Sequence, residues 1–105
     1  MFNVTNNRGF HITFANGWTV SVQWGRGNYC DNRTLLPSRT HKFDEPVPPS
    51  PTAEIAAWDH AGRWRPFESD NVAGYQTPEQ VAEFIQKISQ LKREHLDETP
   101  QVNND

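Results

Sequence analysis

The residues best suited to chemistry cluster in one stretch, Trp24-Gly25-Arg26-Gly27-Asn28-Tyr29-Cys30-Asp31-Asn32-Arg33. Two glycines let backbone N–H groups approach an anion closely, because no Cβ stands in the way. Arg26 and Arg33 can clamp a phosphate through charged hydrogen bonds, and Trp24 or Tyr29 can stack on a base. Trp24, Gly25, Arg26, Gly27, Asn28, Tyr29 and Arg33 therefore form the candidate ligand-binding set. The same pattern also describes an ordinary glycine-rich loop leaving a strand, with Tyr29 packed over the core. Both readings stand at this point. The stretch lacks the Gly-Lys-Ser/Thr ending of a Walker loop, and no helix follows it as a dinucleotide fingerprint requires.

Other chemistries find less support. His11, His41, His60 and His95 include no i, i+4 pair, and no pair of cysteines accompanies them, so no metal site is expected. Cys30 stands alone, without a local nucleophile signature. The carboxylates are scattered through loops and along a helix surface, and no acid–base pair emerges. The sequence thus reads as a binding protein rather than an enzyme, with no cofactor implied.

The chain has 105 residues, the size of one domain, and only 34% of them are apolar. A net charge of −3 argues against a duplex-DNA binder, which is normally basic. The charge is uneven: residues 1–45 carry five Lys/Arg and three Asp/Glu, whereas residues 46–105 carry five and ten. A single cysteine cannot close an internal disulfide, so a reducing cytoplasm is the expected compartment. No segment approaches the ~20 apolar residues of a membrane span. Asn3-Val4-Thr5 and Asn32-Arg33-Thr34 match glycosylation sequons, read here as accidental.

These residues must be positioned by a small set of elements. Phe10, Ile12 and Phe14 alternate with polar or small residues, as do Trp18, Val20, Val22 and Trp24, which is strand period. A three-residue loop, Ala15-Asn16-Gly17, pairs Phe14 with Trp18 and Ile12 with Val20 and puts both apolar sets on one face. A two-residue loop would split them between faces. A second hairpin is expected over Glu54–Phe67, turning at Asp59 to Gly62 and pairing Trp58 with Trp64 over the core. Pro66 cannot donate a ladder hydrogen bond and should end that strand or lie at an edge.

Thr77-Pro78-Glu79-Gln80 is a helix start with a cap, a first-turn proline and a capping-box partner. Val81, Phe84, Ile85, Ile88 and Leu91 form its apolar stripe. The helix is expected to fray near Glu94 to Leu96. The expected fold is α+β: a four-stranded antiparallel sheet from two hairpins, packed by one C-terminal helix. It forms one domain over 1–96, with a proline-rich crossover at 33–52 and a flexible tail at 97–105.

The phrases GFHITFANGWTVSVQWGRGNYCDNR, AEIAAWDHAGRW and GYQTPEQVAEFI resemble small uncharacterised proteins encoded by bacteriophages. That resemblance carries no activity and no functional residues. It implies a bacterial host cytoplasm and a role in phage–host conflict, where counter-defence proteins act by binding. Two functions follow as expectations. One is sequestration of a small anionic or nucleotide ligand by the glycine-rich loop. The other is a protein-interaction module that binds and inhibits a host protein. Homo-oligomer formation fits either, since a small sheet leaves edges to pair.

Overall fold

A computed structural model of the chain describes residues 1–5, 8–25, 27–32, 48–68 and 70–92. Arg26 and Arg33, crossover residues 33–47, the expected frayed helix end at 94–96 and the tail 97–105 lie outside the described residues. The fold is α+β, with the strands β1 (Phe2–Val4), β2 (Gly9–Thr13), β3 (Thr19–Gln23), β4 (Ala53–Trp58) and β5 (Ala73–Gln76), followed by the helix α1 (Pro78–Ser89). All neighbouring pairs are antiparallel, in the order β1-β2-β3-β4-β5. The sheet therefore has five strands, not the four that two hairpins would give.

The first hairpin takes the register that keeps its apolar residues together. Phe10 faces Val22 and Ile12 faces Val20. The Phe14 N–H donates to the Trp18 carbonyl, and the Gly17 N–H donates back to the Phe14 carbonyl. Gly17 has φ of 91°, a conformation that a side chain disfavours, which is why glycine closes this three-residue loop.

The second hairpin is shorter than its sequence suggests. Trp58 and Trp64 do pair, but as a single bridge, supported by the Arg65 N–H donating to the Ala57 carbonyl. Pro66 then removes the next donor and the chain leaves the sheet. It returns as β5, which pairs with the start of β4 through an irregular register between Ala53 and Ile55. Two separate segments thus line one edge of β4.

One sheet face is covered by α1, which packs on β3, β4 and β5. Val20, Val22, Ala53, Ile55, Ala57 and Ile88 are buried there, with Phe10, Phe14, Trp18, Trp24, Phe84 and Leu91 packed against them. Each large side chain contributes about 1.5–3 kcal/mol when fully buried. The helix starts as its sequence dictates. The Gln80 N–H donates to Thr77 Oγ1 at 3.2 Å, and the Thr77 N–H donates to Gln80 Oε1 at 2.8 Å.

The end of α1 is set by a distant residue. Asn16 Nδ2, from the β2–β3 turn, donates to the Ile88 and Leu91 carbonyls at 2.9 and 3.0 Å. Its Oδ1 accepts from the Trp18 N–H, so one side chain shapes the turn and bonds one carbonyl of the last helical turn and one just beyond it. Asn16→Ala should lower stability by about 1–2 kcal/mol, from two hydrogen bonds of ordinary worth. A denaturant melt with an unchanged midpoint would show that these carbonyls find water at no cost. Among the described residues, no helix is long and apolar enough to cross a membrane.

Candidate functional site

The glycine-rich loop is built to hold itself. The Gly25 N–H donates to Asn32 Oδ1 at 2.8 Å and to Cys30 Sγ at 3.2 Å. The Cys30 thiol donates to Asn32 Oδ1 at 3.1 Å, and Asn28 Nδ2 reaches the Trp24 carbonyl at 3.0 Å. Asn32 Nδ2 crosses to the Pro48 carbonyl at 2.9 Å. Asn32 and Cys30 are 6% and 1% exposed, so this polar cluster is internal and its partners are protein. An Asn so enclosed is not a surface sequon acceptor.

The loop is also pinned from outside. The Tyr29 N–H donates to Glu54 Oε2, the Asp31 N–H to Thr52 Oγ1, and the Tyr29 carbonyl accepts from the Tyr75 N–H at 2.8 Å. Tyr75 has φ of 56°, which is uncommon for a bulky residue, and this bond holds it there. Gly74 is the contact point. A Cβ on Gly74 would lie 2.4 Å from Tyr29 Cβ and 2.9 Å from the Tyr29 carbonyl oxygen. Gly74→Ala should therefore push the loop away and cost about 1–3 kcal/mol by overpacking. Proteolysis around Tyr29 should accelerate in that variant, and an unaltered digestion rate would contradict the contact.

This geometry decides where each candidate stands. The N–H groups of Gly25, Asn28, Tyr29 and Asp31 are taken by protein acceptors, so they do not form an open anion nest. Gly27 is exposed, with φ of 89° and nothing near its Cβ direction. Tyr29 is exposed and is not among the residues lining the described cleft that holds Trp24. Trp24 instead lines a cleft of about 270 Å³ with Pro49, Ser50, Pro51, Gln76 and Val81. Arg26 and Arg33 lie outside the described residues.

The aromatic pair departs from the sequence expectation. Trp58 and Trp64 do not join the buried cluster under α1; they stand on the opposite face of the sheet. Ile55 is buried in the core and Trp58 follows three positions later, an odd interval that strand alternation sends to the other face. The Trp58 and Trp64 rings lie 4.8 Å apart at 45°, and His11 meets Trp58 edge-on at 5.0 Å. Trp64 remains 46% exposed. Beside them on the sheet, Thr13 and Thr19 share a hydroxyl hydrogen bond of 2.9 Å.

The turn carrying Trp64 is rigid. Asp59 is buried, accepts from the Ala61 and Arg63 N–H groups, and pairs with Arg63 Nε at 2.7 Å. Gly62 closes the turn with φ of 82°. The burial of Asp59 works against its charge, but the Arg63 N–H and guanidinium and the Ala61 N–H outweigh it and hold the carboxyl below its ordinary pKa. Burial likewise holds His11 below 6.5. Both groups bind protons more readily when unfolded, so both make stability fall as pH falls. The His11 contribution is lost downward from its unfolded pKa near 6.5, and that of Asp59 below the ordinary carboxylate range. Thermal melts against pH should show two declines. His11→Gln should abolish the upper one and Asp59→Asn the lower one; a profile unchanged in both variants would refute the assignment.

Among the described residues, no group of three or more His, Cys, Asp or Glu residues is placed to hold a metal ion. Compared with family models, curated proteins and solved structures, the chain matches none of them.

Proposed function

We propose that this chain is a non-catalytic interaction module that recognises another protein through the sheet face opposite α1. The observation that carries this reading is the tilted Trp58–Trp64 pair on the sheet face opposite α1, with Trp64 46% exposed. Exposed tryptophan is costly to leave in water and is enriched at the centres of protein interfaces. The Arg63–Asp59 pair fixes the turn that presents it, so little side-chain freedom is lost on binding. The resemblance to phage-encoded proteins makes a bacterial host protein the partner to seek first. Affinity capture from bacterial lysate with the tagged full chain tests the reading. A partner retained by the wild type and by Trp24→Ala, and lost by Trp64→Ala, supports it. Retention by Trp64→Ala contradicts it.

A second reading keeps the small ligand. It is favoured by Trp24, the one member of the glycine-rich set that lines the described cleft, with Ser50, Thr52 and Gln76 supplying polar atoms. A cleft of this size suits a small ligand better than a whole nucleotide. Calorimetry with a panel of nucleotides and simple anions tests it, and absence of heat with every member removes it.

A further inference from the structure

The two edges of the sheet are treated differently by the chain. At the β5 edge, the glycine-rich loop lies across the strand, and the Tyr29 carbonyl takes up the Tyr75 N–H. The register there is irregular, which further blunts the edge. Among the described residues, the β1 edge has neither device. Its residues Phe2 and Val4 are 77% and 74% exposed, and no charge or proline interrupts the strand.

The direction of the free groups follows from the pairing with β2. The Thr13 N–H donates to the Met1 carbonyl and Met1 N donates to the Thr13 carbonyl, while the Thr5 N–H donates to the Gly9 carbonyl. Inward-bonding residues alternate along an antiparallel strand, so Met1, Asn3 and Thr5 turn their backbone groups to β2. Phe2 and Val4 turn theirs outward. Their side chains share the face of Ile12 and Phe10, which stand opposite them. That face of β1 and β2 extends beyond α1, which packs only on β3, β4 and β5.

We propose that β1 pairs antiparallel with β1 of a second copy, about a two-fold axis at Asn3, and makes one continuous sheet through both chains. The occupant is a second copy because the edge is complementary to itself. With Asn3 opposite Asn3 of the partner subunit, Phe2 meets the partner's Val4 and Val4 meets the partner's Phe2. Each pair exchanges two backbone hydrogen bonds. No outward donor or acceptor of Phe2 or Val4 is left over. The four apolar side chains fall on one face, and no like charges are brought together. The strand is short and the interface correspondingly small, so a weak dimer in exchange with the monomer is expected.

Sedimentation equilibrium of the full chain over a concentration series tests this. The wild type should pass from protomer mass to twice that mass as concentration rises. Val4→Pro removes a donor that β2 does not use, so the fold persists and dimer formation should weaken at least tenfold. Phe2→Lys should do the same by placing two cations near the axis, and serves if the proline variant fails to fold. In the wild-type dimer, the Phe2 and Val4 amides should exchange with deuterium more slowly than in the monomer. A wild type that stays monomeric to about 1 mM overturns the proposal. So does a dimer that survives both substitutions, or one lost only on Trp64→Ala, which would place the interface on the aromatic face opposite α1.

Discussion

Replacing Asn32 with leucine should destabilise the protein by about 3 kcal/mol, although the side-chain size is nearly kept and no ligand is involved. Asn32 Oδ1 accepts from the Gly25 N–H and the Cys30 thiol, and its Nδ2 donates to the Pro48 carbonyl and, more weakly, to that of Pro49. Leucine supplies none of these partners. A buried polar group left without a good partner costs about 1–3 kcal/mol, and the buried Gly25 N–H would keep only its weaker bond to Cys30 Sγ. The substitution also unties the glycine-rich loop from the proline segment, so the loss of order should spread along the loop. Denaturant melts give the free energy, and hydrogen exchange at Gly25 gives the local consequence. A melt within about 0.5 kcal/mol of the wild type, a change of the size usual for a surface site, would show that the loop is not held this way.

The second large effect is on binding. Trp64→Ala should weaken the captured partner by about 2–4 kcal/mol, or roughly thirty- to a thousand-fold in affinity, as truncation of a central interface aromatic does. Its effect on folding should be far smaller. The cross-strand Trp58–Trp64 pair is worth about 0.2–1 kcal/mol, and Trp64 is already half in solvent. The separation of the two effects makes the variant informative. A core tryptophan would show the reverse order: Trp24, packed against the buried cluster, should cost stability first when truncated. Equal losses of affinity for Trp64→Ala and Trp24→Ala, each tracking a lowered melting midpoint, would mean that binding reports only on folding.

The parts of the fold that were legible in the sequence are those specified locally. Phe14 and Trp18 fix the first hairpin because only one loop length keeps their strands' apolar faces together. Thr77, Pro78 and Gln80 fix the helix start because cap, proline and capping box act within one turn. The two missed strands lack such signals. β1 is three residues long, too short for an alternation to show. β5 contains Gly74 and a tyrosine at positive φ, and neither reads as strand. Each exists because a neighbour offers a partner edge, which is a property of the assembled sheet.

The site divides in the same way. The glycines and aromatics of the loop were visible, but their use was not. Whether the Gly25 N–H faces a ligand or Asn32 depends on how residues 25 and 32 fold together, and the Asn32 bond to Pro48 spans sixteen positions without a motif. The placing of Trp58 opposite the core was readable in principle, because Ile55 and Trp58 lie an odd number of positions apart on one strand. The general preference of tryptophan for burial pointed the other way, and here strand parity overrides it.

A photo-crosslinking measurement separates the two functional readings even while the partner is unidentified. p-Benzoylphenylalanine takes the place of Trp64 in one chain, and of the exposed helix residue Glu83 in a control. Each tagged chain is irradiated in bacterial lysate and resolved by mass. Recognition through the sheet face opposite α1 predicts a discrete adduct of one added protein from position 64 and none from position 83. Adducts equal in pattern and yield from the two positions, or none from position 64 while the wild type still captures a partner, would contradict it.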